Sequence, residues 1–510
     1  MAQPAVKMYT PSIRVTLHKL VRPTLQGKAV ISERFTGTES TIDLTPFLAD
    51  GYPVHTSKSV RDDAGSFSIS LADKPHISGG GRSFESLYGL VRPMDMIEIR
   101  FSHDPHSPND IPLIMRGFVS GITRSETMGM DGVPHRTVTV NGDDFGKLWR
   151  MMQIVFLPNY VVGQGLLGNL ETFLDFNSGM PIGFTGGMLL MSITRKVLNP
   201  YLAGIMPENG ANNLKEFKLD IQSHHGTAHQ IALQNEQGNV YDMLRRHIDV
   251  GIWNELFVED REDGVYIVYR PNPAKDIAGN LIYNAVYGED KWLPDDREKA
   301  LNPFRAPEII DVYDTDLISL QLTCNDAGVA NYFWVRAHRS EMVENQFSME
   351  LGLLEQDGDN NVDLRDYPNS SAHIHGIRIM YGNTEQGGDD MTSFHSGQTE
   401  DELNHNRVET MRWIGSRRKF MVEQNKDNVL FEQGMMRVRG DDKLKAGRYI
   451  RLHRGSFTAE YYLVAVEHEY LPFGGFFSTL HVERGTGFIE RIKRGGGADS
   501  PYMAEMRRVA

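Results

Sequence analysis

The sequence predicts a mainly β protein with α+β insertions, and three observations carry that reading. Apolar and polar residues alternate with period two over short runs in two separated parts of the chain. Glycine-rich turn signals punctuate those runs, and glycine is abundant at 49 copies. The chain has 510 residues, whereas single cores stop growing near roughly 250–300 residues, so two to four domains are expected.

The first β-rich part spans 1–150. Ile13, Val15 and Leu17 alternate with polar partners, as do Phe67, Ile69 and Leu71, then Ile97, Ile99 and Phe101. Phe118, Ser120 and Ile122 continue the period, and Val138 and Val140 close it. Such alternation sets one face on a core and the other toward solvent or a partner. Turn signals at Ser78-Gly79-Gly80-Gly81, Met130-Asp131-Gly132 and Asn141-Gly142-Asp143 separate the runs. Short strands at this spacing predict a closed barrel or a sandwich.

Residues 151–235 have no clean period and read as an irregular or helical insertion, with a helix from Ser192 to Tyr201 halted by Pro200. Residues 236–309 read as a small α/β domain. Val240, Leu244, His247 and Ile248 have helical spacing, and strands flank the Arg261–Gly264 turn. The second β-rich part is discontinuous, 310–345 joined to 426–490. Between its pieces, 346–425 holds a polar loop and then a helix from Thr399 to about Asn425. The tail, 491–510, is Gly-rich and polar and is expected to be flexible. No short-period repeat of the solenoid or propeller kind is visible.

Composition narrows the function classes. Hydrophobic residues at 40% and charged residues at 24% are ordinary for a soluble globular protein. The formal net charge of −14, with no basic stripe, argues against a protein that grips nucleic acid through phosphate contacts. A single cysteine, Cys324, excludes an internal disulfide framework and is expected to be a buried, inert thiol. The first twenty residues lack the apolar run of a signal peptide, and no stretch reaches a membrane span.

Motifs for catalysis or ligands are weak. His103 and His106 flank Asp104. His225 and His229 have i, i+4 spacing, but Gly226 interrupts any helix and no zincin Glu accompanies them. His373 and His375 would share one face of a strand. Asp357, Asp359, Asn361 and Asp363 start like a calcium loop, yet Val362 and Pro368 stand where Gly and Glu are needed. Gly163-Gln164-Gly165-Leu166-Leu167-Gly168 fits a dinucleotide fingerprint without the βαβ frame that gives it meaning. The expectation is therefore no catalytic residue, no cofactor and no metal. The rival reading places a cell-wall hydrolase in 151–235, where Glu171, Asp175 and Glu208 supply carboxylates. A receptor-binding reading would need exposed aromatics, for which Phe473-Gly474-Gly475-Phe476-Phe477 is the candidate. A turn with subunit-facing aromatics is the better expectation there.

Several phrases, in order, resemble a known family. They are Arg116-Gly117-Phe118-Val119 with Val138 to Leu148, then Gly238-Asn239-Val240-Tyr241-Asp242-Met243-Leu244 with Asn254-Glu255-Leu256-Phe257 and Tyr269-Arg270-Pro271. The closing set is Ala446-Gly447-Arg448-Tyr449-Ile450, Tyr461-Tyr462-Leu463-Val464, His468, and Thr479 to Gly485. Together the resemblance covers about two-thirds of the chain. It is to baseplate hub proteins of contractile-tailed phages, akin to late control D proteins and the N-terminal part of VgrG spikes. The resemblance implies two tube-type β-barrel domains per chain and a homotrimer forming a pseudo-sixfold ring. It also implies tail tube or tube-initiator, spike, tape-measure and baseplate wedge partners in the virion tail, after assembly in the host cytoplasm. DNA would pass through the lumen without specific binding.

Overall fold

The computed structural model describes residues 11–154, 183–282, 304–337, 368–387 and 399–485, apart from short gaps at 28, 37–39, 79–81, 104–110, 129–131, 133, 207–211, 224–226, 230–237, 277–278, 455–456 and 473. The chain is mostly β, and one 13-stranded, mostly antiparallel sheet dominates it. The first group of strands is β1 (Ser12–His18), β2 (Thr41–Asp43), β3 (Val54–Ser59), β4 (Ser66–Ala72), β5 (Met96–Ser102), β6 (Leu113–Met128) and β7 (Pro134–Asp144). A smaller sheet follows, of β8 (Phe217–Ile221), β9 (Asn254–Arg261) and β10 (Gly264–Pro271). The second group is β11 (Ile309–Tyr313), β12 (Leu317–Thr323), β13 (Glu432–Arg439), β14 (Tyr449–Arg454), β15 (Phe457–Leu471) and β16 (Gly475–Gly485).

The two groups share one topology. Setting aside the short β2, the first runs β1-β5-β6-β7-β4-β3 across the sheet, and the second runs β11-β14-β15-β16-β13-β12. Numbered by chain order within each group, both read 1-4-5-6-3-2. They differ in the first pairing, antiparallel for β1 with β5 and parallel for β11 with β14.

The likeness extends to single residues. Each long hairpin carries a bulge at the same place: Ser120 between Val119 and Gly121, and Val464 between Leu463 and Ala465. Each strand before the hairpin is entered through a left-handed residue, Met94 at φ 70° and Gly447 at φ 84°. Met94 N–H donates to the Val119 carbonyl at 2.8 Å, and Gly447 N–H to that of Leu463 at 2.8 Å. Val119 N–H returns a bond to Asp95, as Leu463 N–H does to Arg448.

Side chains at matched positions are exchanged rather than repeated. Glu98 faces Arg116 across β5 and β6, with Nε of the arginine 2.8 Å from the carboxylate. In the second unit Arg451 faces Glu460, also at 2.8 Å, with the signs reversed. Phe67 on β4 lies opposite Gly142 on β7, whereas Gly434 on β13 lies opposite Val482 on β16. Large and small have changed strands while each pair keeps one of each.

Each unit wraps its own apolar core. Val15, Leu17, Ile69, Leu71, Ile97, Ile99 and Val140 fill the first, and Met436, Val438, Ile450, Leu452, Leu463 and Leu480 the second. A third core joins Phe118, Phe145 and Trp149 of the first unit to the smaller sheet and to a helical run, Gly186–Ile205. That run does not stop at Pro200. A π segment, Thr194–Leu198, precedes the proline, and the widened turn accommodates its missing N–H and bulky ring. The strand Tyr332–Ala337, read from sequence with the second β part, pairs instead in parallel with Ile379–Thr384, inside the stretch read as a polar loop. Both carry residues that pack under the long helix Glu400–Asn425, against Met411 and Met421. Thr399 and Glu402 form a capping box at its start.

Gly142 tests the exchanged packing. A Cβ there would lie 2.2 Å from the Phe67 ring and 2.4 Å from the Phe118 carbonyl oxygen. Gly142→Val is expected to cost about 3 kcal/mol, the upper end for overpacking, read as a lowered midpoint in thermal unfolding.

Candidate functional site

The two units of the large sheet meet at a seam. Strand β3 of the first unit pairs antiparallel with β15 of the second, from Val54 opposite Tyr470 to Ser59 opposite Ala465. The ladder makes one sheet of two units whose residues lie some four hundred positions apart in sequence. The tip of the β15–β16 hairpin then enters the other unit's core. Phe101 stacks on Tyr470 at 5.5 Å between centroids and meets Phe476 edge-on at 5.3 Å. Such aromatic pairs add specificity to buried area.

Polar groups fix the seam's register. Lys58 on β3 reaches Asp260 of β9 and, at 3.1 Å, Asp144 at the end of β7. Burial works against the Lys58 charge, but the two carboxylates beside it raise its pKa. Burial raises the pKa of Asp144, helped by the Asp260 charge, and outweighs the pull of the Lys58 ammonium in the other direction. His468 on β15, opposite Thr56, is buried. Its Nε2 lies 3.1 Å from the Leu444 carbonyl and its Nδ1 2.8 Å from the Ser478 hydroxyl. A carbonyl only accepts, so Nε2 carries the proton and Nδ1 accepts from Ser478. Burial pushes this imidazole down to about 4.

The small sheet β8–β10 braces both units. Arg270 on β10 is buried, donating to Glu255 at 3.1 Å, to the Gly447 carbonyl at 2.6 Å and to the Tyr462 hydroxyl at 3.2 Å. On the first unit, Arg116 donates to the Arg261 carbonyl at 2.9 Å, and Glu262 takes two bonds from Arg100 at 3.1 and 3.0 Å. The turn between β9 and β10, read from sequence as a plain hairpin turn, is thus the clamp on β5 and β6.

The sequence-level site candidates come to different ends. His103 sits near Asp441 and Asp442 of the second unit, all three ligand atoms lying within 4.8 Å of one another. Its Nδ1 lies 3.7 Å from the Asp442 carboxylate, so the two units approach each other here through polar side chains. Sequence spacing could not show this, since the pairing is long-range. His106 and Asp104 lie outside the described residues, as do His225, Gly163 to Gly168, Asp357 to Asp363, and Glu171, Asp175 and Glu208. His229 falls on a strand, Thr227–His229, so a helical i, i+4 pair with His225 is ruled out. His373 and His375 lie in a short helix, Ala372–His375, not on a strand. Cys324 is exposed rather than buried, because it follows β12 at the open edge of the sheet. Phe476 is buried in the first unit's core, which removes it from any exposed aromatic platform; Phe473 lies outside the described residues. Among the described residues no helix is long and apolar enough to cross a membrane.

No protein-family model matches the chain, and no curated protein matches it in sequence. Solved tail proteins align with it at low identity. One is the 43 kDa tail protein of prophage MuSo2 from Shewanella oneidensis, at 9% identity, covering 92% of this chain and 96% of that one, with a TM-score of 0.40. Another is the tail protein from Neisseria meningitidis MC58, at 9% identity, 93% and 97% coverage, and a TM-score of 0.40. A third is the E. coli c3393 protein, a type VI secretion component with structural similarity to the T4 tail proteins gp27 and gp5. It aligns at 8% identity over 85% of this chain and 73% of that one, with a TM-score of 0.34.

Lys58→Met strands two buried carboxylates and is expected to cost about 3–5 kcal/mol in chemical denaturation. Adding Asp144→Asn and Asp260→Asn should return part of that loss. His468 titrates lower folded than unfolded, so its contribution is complete above pH 6.5 and lost as pH falls toward 4. The loss amounts to about 3 kcal/mol. His468→Gln should flatten the fall in melting temperature between pH 7 and 4.5.

Proposed function

We propose that this chain is a non-enzymatic, structural hub of a contractile phage tail baseplate. Three copies form a ring of six units between the tail tube and the central spike. The observation that carries the reading is the duplicated unit joined edge to edge within one sheet. A chain with two equivalent units presents six similar positions when three copies close around an axis. That is what a junction between sixfold and threefold partners requires. The ordered sequence phrases that resemble hub proteins support the same reading.

Tail tube or tube-initiator proteins would meet one rim and the spike the other, with tape-measure and wedge proteins nearby. The negative balance of −14 supports a lumen that DNA traverses without sticking, since like charge repels a phosphate backbone. The hub would act in the virion tail after assembly in the host cytoplasm.

Mass measurement in solution, with and without the cognate spike protein, tests the reading. A trimer, formed alone or on adding spike, is expected, with no clearing in a peptidoglycan zymogram. A chain that stays monomeric in both conditions, or clears peptidoglycan, overturns it.

A further inference from the structure

The internal seam is a template for a second one. It joins strand 2 of the first unit (β3) to the far half of strand 5 of the second (β15). The near half of β15 is occupied by β14. In the first unit, β5 covers β6 only from Leu113 to Phe118. From Gly121 to Met128 the outer edge of β6 has no strand beside it among the described residues. In the second unit β12 ends the sheet, and among the described residues no strand lies on its outer edge. The half of each seam that the chain uses once internally is therefore left unused at each end.

Burial marks the same positions. Val54 and Thr56 of β3, closed over by β15, are each 1% exposed. Their counterparts on β12, Leu320 and Leu322, remain half-buried although they pack on the second core. Val466 of β15 is 2% exposed, while its counterpart on β6, Ile122, is half-buried. Open edges of this kind invite pairing with another strand.

We infer that copies of this chain join head to tail by antiparallel pairing of β6 in one copy with β12 in the next. This rests on the ring reading for the closure, but the edges and register come from the fold. Carrying the β3–β15 register across sets Gly121 opposite Asn325, Thr123 opposite Thr323 and Ser125 opposite Gln321 of the neighbouring copy. Continued by five residues from Thr123, it brings Met128, 72% exposed, against Ile318, 51% exposed. Arg124 and Glu126 already pair within the chain, with Asp73 at 3.1 Å and Arg136 at 2.9 Å. They therefore bring no unpaired charge to face Leu322 and Leu320. The interface is heterologous, so every copy donates one edge and accepts at the other.

Cysteine pairing in the full-length protein tests this. Thr123→Cys and Thr323→Cys are combined in a Cys324→Ser background and oxidised with glutathione disulfide. Ser57→Cys with Glu467→Cys, the matching pair of the internal seam, serves as the intrachain control. Covalent dimers and larger species are expected from the double variant, covalent dimers alone from mixed single variants, and neither from either single variant alone. An assembly of unaltered native mass that yields no interchain link, while the control closes, overturns the edge assignment and leaves the hub reading standing. Monomers at every concentration, with or without spike, overturn both.

Discussion

Everything in this molecule hangs on a main-chain ladder between two strands that are remote in sequence. The β3–β15 pairing satisfies two sheet edges at once and turns two β units into one continuous sheet. Backbone ladders are permissive about which residues they join, so something else must hold the register. Here a single ammonium, Lys58, sits between a carboxylate from the first unit and one from the bracing sheet. A slip of one residue would turn Lys58 to the other face and leave both acids unpaired.

Much of the β framework was legible from period two alone. The runs around Ile13, Phe67, Ile97, Val138, Tyr449, Tyr461 and Phe477 all fall within strands. The helix beginning after Thr399 was equally plain, because apolar residues such as Met411, Ile414 and Met421 recur at helical spacing. The seam was not legible. Nothing local to Val54–Ser59 says which strand four hundred residues away will lie beside it. Cys324 was misplaced for a related reason: alternation reports a face, not whether a strand has a neighbour. Pro200 misled because a π turn can absorb what an α turn cannot.

The duplication was expected from the family resemblance and not from any repeat in the residues themselves, and the reason is physical. What the two units share is carried by backbone: strand order, bulge position, a left-handed entry residue and two main-chain bonds. What varies is the side chains, and they vary in compensating pairs. Phe67 with Gly142 and Gly434 with Val482 fill comparable space while matching at neither position. A residue-by-residue comparison sees differences where the fold sees one arrangement.

The reversed ion pairs bear on how such a chain reaches its fold. A protein with two copies of one topology risks docking a hairpin from one copy onto a strand from the other. Were β6 to settle on β14, Arg116 would face Arg451; were β15 to settle on β5, Glu460 would face Glu98. Each mistake sets like charges opposite each other, and only the correct match neutralises both. Sign reversal thus works as an address label that keeps sibling repeats from trading parts during folding.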